Sequence, residues 1–239
     1  NLYQSEPWMM NIIGKLKIKK NSIFIDVGVN IGQTLIKFKT MNIDADYLGF
    51  EPNPICISYL DSLIQANNWN NVKIIPVGID QRPGVVFLNK YYNDKTDSSA
   101  SIIENFRENV DPTHKSIVAV LGVENIVDSL LNKRVSIIKI DVDGAESRVI
   151  KSFFQIISEH RPYLLVEILP VYNNKNIERL QNQLDIELIL KSLDYKIYRI
   201  QKNQNNNFHK LEEISSFGIH DRLDWCDYIL APEYIQQDF

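Results

Sequence analysis

Along this 239-residue chain, short runs of branched and aromatic residues alternate with longer stretches in which apolar positions recur at helical spacing. Ile23 to Val27, Tyr47 to Phe50, Val72 to Val77, Ser136 to Ile140, Tyr163 to Ile168, Lys196 to Ile200 and Asp227 to Leu230 read as strands. Ile31 to Met41, Pro54 to Asn67, Gly144 to Ile157 and Ile177 to Ser192 read as helices, with Pro54 suited to a first helical turn. The alternation predicts an α/β fold: a seven-stranded, mostly parallel sheet with helices on both faces. No repeat and no Pro/Gly/Ser-rich linker divides the chain, so one domain over residues 1–239 is expected, with residues 1–20 as a lead-in.

Two further strand-like runs, Gly84 to Asn89 and Ser116 to Val120, interrupt the alternation and flank the polar stretch Lys90 to Lys115. A loop of about 25 residues without strong periodicity is unusual in a compact domain. Residues 84–120 are therefore expected to be an insertion of strands and loop that serves as a substrate lid. Its "YYNDKTDSSASIIENF" mixes flat aromatic faces with hydroxyls, a composition suited to covering a saccharide. "QNNNF" near Asn205 reads as a turn.

A hydrophobic content of 44% and a charged content of 23% are those of a globular chain, which excludes general disorder. A net charge of −4 supplies no field that would gather nucleic acid or an anionic membrane. The one dense basic run, "KLKIKK" from Lys15 to Lys20, alternates with apolar residues and reads as a solvated face. No run reaches the roughly 18 apolar residues of a membrane span, so a cytoplasmic protein is expected. Cys56 and Cys226, far apart and flanked by apolar or aromatic residues, are expected to be buried free thiols of a reducing compartment. The chain opens on Asn rather than Met, as a trimmed chain or a piece of a longer one does.

The candidate chemistry begins with "FIDVGVNIGQT", Phe24 to Thr34. Asp26 closes the first strand, and Gly28, Asn30 and Gly32 form the turn into the next helix, where glycine admits positive φ and close approach of a ligand. Such a turn serves NAD, a nucleoside triphosphate or S-adenosylmethionine. A pyrophosphate calls for free N–H groups without a competing acid, and neither the G-x-G-x-x-G nor the Walker spacing is present. Asp26 favours the cationic S-adenosylmethionine. Glu51, in "GFEPNP" after the second strand, is placed to accept both ribose hydroxyls of an adenosine ligand.

A second constellation, "IIKIDVDGAESRVI", puts Lys139, Asp141, Asp143, Gly144 and Glu146 at the end of the fourth strand, which should adjoin the first at the switch point. Lys139 could pair with either acid beside it. At this point the chain resembles the FkbM family of S-adenosylmethionine-dependent methyltransferases. The resemblance runs in order from Phe24 to about Pro170: "FIDVGVNIGQT", "GFEPNP", "NNVKIIPVGIDQRPGVVFLN", "DSSASI", "VENIVDSLL", "IIKIDVDGAE" and "RPYLLVEI". It implies the Rossmann-like class I methyltransferase fold. It also implies that Asp26, Gly28, Asn30 and Gly32 surround the methionine part of the cofactor and that Glu51 holds the ribose. Pro52, Asn53, Val77 and Gly78 would border the adenine, with Asp141 beside the transferring methyl. Val29 stands where the family usually has a small residue, and Asp143 where it often has Glu.

The resemblance implies O-methylation of a sugar, glycan or natural-product hydroxyl on a small-molecule or glycan acceptor, and the net charge argues against a nucleic-acid partner. An alcohol nucleophile needs a base, and Asp141, Glu167 and His220 are the candidates in that order. Asp141-Val-Asp143 is also a D-x-D, whose hard carboxylates suit Mg²⁺ or Mn²⁺. A metal-dependent sugar-nucleotide glycosyltransferase is thus the alternative, weakened by an opening turn that such an enzyme does not require. A divalent metal is not favoured, and a catalytically silent adenosine-binding protein is the third reading.

Overall fold

The structure is a computed structural model that describes residues 6–16, 18–104, 106–107, 110–126 and 132–232. In chain order its elements are α1 (Pro7–Lys15), β1 (Ser22–Val27), α2 (Gln33–Thr40), β2 (Ala45–Phe50), α3 (Pro54–Ala66), β3 (Val72–Ile75), β4 (Gly78–Ile79), β5 (Gly84–Lys90), β6 (His114–Leu121) and β7 (Val135–Ile140). They continue with α4 (Glu146–Ser152), α5 (Phe154–His160), β8 (Tyr163–Glu167), α6 (Ile177–Ser192), β9 (Tyr195–Lys202), β10 (Phe208–Ile214) and β11 (Asp227–Pro232).

The main sheet has the order β10-β9-β11-β8-β7-β1-β2-β3. Strands β3, β2, β1, β7 and β8 are parallel, while β11 runs antiparallel to both β8 and β9. The expected α/β architecture holds, but the sheet has eight strands rather than seven. The additional strand is β10, hairpinned on β9 after the predicted Asn-rich turn, in which the Asn203 side chain accepts from the Asn205 and Asn207 amides. Its "FHKLEEI" is mostly half-buried or exposed. An edge strand guarded by charges carries little apolar signal.

The predicted helix from Gly144 to Ile157 is two helices, α4 and α5, that meet at Phe153, whose φ of −83° and ψ of 3° break the helical run. The expected lead-in holds helix α1, with Pro7 in its first turn and Trp8, Met9, Ile12 and Ile13 buried. Lys15 is exposed as read, although its ammonium lies 5.3 Å from the Phe208 ring centroid; Lys17 of the same run is outside the described residues.

Two apolar layers flank the sheet. On one face Trp8, Ile12, Phe24, Leu35, Phe38, Tyr47 and Leu60 bring α1, α2 and α3 against it. On the other, Ile25, Ile138, Val149, Phe153, Ile157, Leu164 and Ile186 pack α4, α5 and α6. Each such side chain, fully withdrawn from water, stabilises the fold by about 1.5–3 kcal/mol. The interrupting segment builds its own small sheet, β4-β6-β5, with β5 antiparallel to β6. Segment 94–104 leads from there back to the carboxyl ends of β1, β2 and β7, where Lys95, Thr96 and Ser101 bond to Asn53, Asn30 and Asp143. Among the described residues, no helix is long and apolar enough to cross a membrane. Cys56 and Cys226 are free and buried, as expected.

Candidate active site

The parallel strands end in a common crevice because β1 lies between β2 and β7, with Asp26 in register with Gly49 on one side and Lys139 on the other. Chain connection reverses at this point, which leaves room above the strand ends. A cavity of about 890 Å³, mouth included, opens there. Gly28, Asn30, Glu51, Pro52, Asn53, Gly78 and Asp141, all singled out in the sequence, line it. Asp26, Gly32, Val77, Glu167 and His220 do not. Glu6, Gln33, Thr34, Ser98 and Lys139 do.

The opening turn is bound tightly to its neighbours. Gly28 has φ +89°, and a Cβ there would sit 1.9 Å from the Asp141 carbonyl oxygen, so the turn can pass only without a side chain. The amides of Asn30 and Asn53 donate to the two oxygens of Glu51, at 2.7 and 2.8 Å, and the Gly28 amide donates to Phe50 O at 2.9 Å. These N–H groups do not form a phosphate cradle; two of them aim one carboxylate. Val29, bulkier than the family norm, fits because Gly49 opposite it has no side chain: a Cβ there would lie 2.5 Å from Val29 Cγ2.

Glu51 is 6% exposed, and burial raises its pKa from 4.5 to about 7 even though the two amides pull it down. Each of its oxygens keeps a further lone pair for a ligand hydroxyl. On the other side of the crevice, the Lys139 ammonium bridges Asp26 at 3.4 Å and Asp141 at 3.1 Å. Burial opposes the charge on Lys139, yet Asp141 and Asp26 outweigh it and hold the ammonium above its usual range. Asp26 is 0% exposed, accepts a hydrogen bond from the Tyr47 hydroxyl and has its pKa raised by burial. Its carboxylate therefore sits behind the cavity wall and presents Lys139 to the cavity.

Asp141 and Asp143 of the D-x-D face different cations: Asp143 pairs with Arg107 at 3.4 Å. Burial, then the charge of Asp141, raises Asp143 to about 8 against the pull of Arg107. Among the described residues, no group of three or more His, Cys, Asp and Glu is arranged to hold a metal ion. Glu167 ends β8 opposite Asp227, receives a hydrogen bond from the Cys226 thiol at 3.4 Å and is pushed well above its usual range by burial, then by Asp141 and Asp227. His220 packs edge-on against Trp225, with ring centroids 5.6 Å apart, and burial lowers its pKa.

The inserted segment roofs the crevice. Asn30 and Asn53 donate from their side-chain amides to the carbonyls of Thr96 and Lys95, at 2.8 and 3.0 Å. The Ser101 hydroxyl donates to Asp143 O at 2.6 Å. Asp97, 4% exposed, accepts from the Tyr91 and Tyr92 amides, which folds the roof on itself. Of the aromatics in the segment expected to cover a saccharide, Tyr91 is buried beneath the Arg107 guanidinium and Phe106 packs against Gly144, while Tyr92 is exposed.

Of the residues that sequence reasoning passed over, Glu6 had one available signal: it immediately precedes Pro7 and the amphipathic "WMMNII". Gln33 and Thr34 follow the glycine turn directly and form the first turn of α2, whose cap position Gly32 has no capping side chain.

An open, doubly wound sheet with a buried acid after β2 and a cavity at the β1/β7 switch point is the arrangement in which α/β proteins hold ligands. Residues 26–197 match the methyltransferase FkbM domain, and the chain belongs to that family. It is 28% identical over 146 residues to Methyltransferase 1 of Beauveria bassiana (strain ARSEF 2860), covering 55% of this chain and 58% of that protein. It is 24% identical over 158 residues to Methyltransferase sdnD of Sordaria araneosa, covering 56% of this chain and 61% of the relative. The chain thus spans about three fifths of these curated relatives. A methyltransferase FkbM structure from Methylobacillus flagellatus KT superposes with TM-score 0.55 at 16% identity, over 91% of this chain and 45% of that one, a likeness of fold.

Proposed function

We propose that this chain works as one domain that transfers a methyl group from S-adenosylmethionine to a hydroxyl of a sugar, glycan or natural-product acceptor. The observation that carries the reading is Glu51: a buried carboxylate held by the Asn30 and Asn53 amides in the wall of a cavity that the glycine turn and Asp141 also line. The lining fits the cofactor. The Asn30 amide of the turn serves a carboxylate instead of a phosphate, and the acids along the cavity match a ligand that carries a sulfonium and an ammonium.

We assign Glu51 to the ribose hydroxyls, Pro52, Asn53 and Gly78 to the border of the adenine, and Gly28, Asn30 and the N-terminus of α2 to the methionine part. Asp26 supports the site from behind by fixing Lys139. When bound, the cofactor supplies an electrophilic methyl on a sulfonium. Asp141 is the base that receives the acceptor's hydroxyl proton, since it lines the cavity and Lys139 fixes its carboxylate. Glu167, pushed well above its usual range by burial and absent from the cavity lining, is not assigned that role. Segment 94–104 excludes water above the acceptor.

Calorimetry with S-adenosylmethionine, with NAD and with a UDP-sugar plus Mn²⁺ tests the cofactor. Binding of the first alone is expected, whereas UDP-sugar binding that requires Mn²⁺ would overturn the assignment in favour of glycosyl transfer. Mass spectrometry of hydroxylated acceptors after incubation with labelled cofactor tests the reaction, with a gain of one methyl expected on oxygen.

A further inference from the structure

At the methionine end of the cavity the sequence points to Asp26, but that carboxylate is sealed and committed to Tyr47 and Lys139. Glu51 is held by the Asn30 and Asn53 amides and assigned to the ribose, and Asp141, paired with Lys139, is assigned to the acceptor's proton. Asp143 pairs with Arg107 and Asp97 accepts from the Tyr91 and Tyr92 amides, whereas Glu6 lines the cavity with Gln33 and Thr34. Its side chain is 32% exposed, which leaves it open to a ligand.

Glu6 is not there by default of chain path. It adopts φ 48° and ψ 61°, a left-handed conformation that non-glycine residues seldom take and that clusters at functional positions. Pro7 locks the next residue into the first turn of α1, and the apolar face of that helix is buried. Lys37, 0% exposed, lies 3.4 Å from the Glu6 carboxylate and fixes its direction. A carboxylate with about four acceptor sites keeps capacity beyond one such pairing.

We propose that Glu6 is a cofactor-binding residue whose carboxylate receives the α-ammonium of the methionine part of S-adenosylmethionine; the proposal rests on the cofactor reading above. The uncapped N-terminus of α2 beside it, at Gln33 and Thr34, is then the partner for the α-carboxylate of the same group. The zwitterionic end of the ligand is gripped by opposite charges from two elements, and α1 becomes part of the site.

The test is calorimetry of the full chain with two probes, S-adenosylmethionine and 5′-methylthioadenosine, which has the adenosine but no amino-acid part. Glu6→Gln should weaken S-adenosylmethionine about tenfold or more and leave 5′-methylthioadenosine unchanged. The double variant Glu6→Gln/Lys37→Met, which removes both charges together, should show the same difference. Unchanged affinity for S-adenosylmethionine in either variant, or an equal loss for both probes, overturns the role of Glu6 while leaving the cofactor reading intact. A wild-type chain that binds neither probe overturns both.

Discussion

Glu51 should make cofactor binding depend on pH in a range where an ordinary glutamate is already fully ionised. In the cofactor-free protein, burial holds its pKa near 7, against 4.5 for an ordinary glutamate. At 1.36 kcal/mol per unit, ionising it in place costs about 3 kcal/mol. Two ribose hydroxyls donating to the ionised form would return the pKa toward its ordinary value, so binding should expel the proton. Below pH 7 the affinity should rise by up to about tenfold per pH unit, with up to about one proton released, and level off above it. Calorimetry at pH 5.5, 6.5 and 7.5, each in two buffers of different ionisation enthalpy, reads both quantities. The cofactor-free fold carries the opposite signature. Because the folded pKa is raised, the contribution of Glu51 to stability is full below its unfolded pKa and is lost as pH rises through about 7. Glu51→Gln should flatten both slopes and weaken binding at least tenfold at pH 7.5. A flat affinity with no proton release in the wild type would refute the ribose assignment.

Three further outcomes follow from the packing. Asp26→Ala should cost about 3–5 kcal/mol in denaturant unfolding, since it leaves Lys139 with one acid fewer and the Tyr47 hydroxyl unpaired; a loss below 1 kcal/mol would refute the buried pairing. Gly28→Ala should abolish cofactor binding, because its Cβ would meet the Asp141 carbonyl at 1.9 Å, while Gly218→Ala, with open space and a positive φ, should bind normally. Equal binding by the two variants would contradict the turn geometry. Arg107→Ala removes a charge that lowers Asp143, so carbon-detected titration should show the Asp143 carboxyl rising above about 8; an unmoved or lower value would sink the pairing of roof and site.

Burial limits what can be read from one dimension. The strand ends that carry chemistry were legible because glycine, acid and apolar run recur in a spacing with a local meaning, as at Gly28, Glu51 and Asp141. Helix α6 was legible to its ends, since Asn176 caps it and its periodicity is unbroken. Strand β10 was not, because its stabilisation comes from pairing with β9 and not from a buried face. The "VENIVDSLL" block runs into residues 127–131, which lie outside the described residues.

By itself the sequence determined the alternating architecture, the switch point and the acids around it, because hydrophobic period and turn chemistry are local properties of the chain. Which acids face the cavity was decided only by tertiary structure. Asp26 turned inward because Tyr47 and Lys139, 21 and 113 residues away in sequence, meet it in the sheet. Glu6 came to the cavity because α1 buries Trp8, Met9 and Ile12 beside it. A charge pattern states how many carboxylates a site has; the burial of the surrounding side chains decides which are exposed to a ligand and which are spent inside the protein.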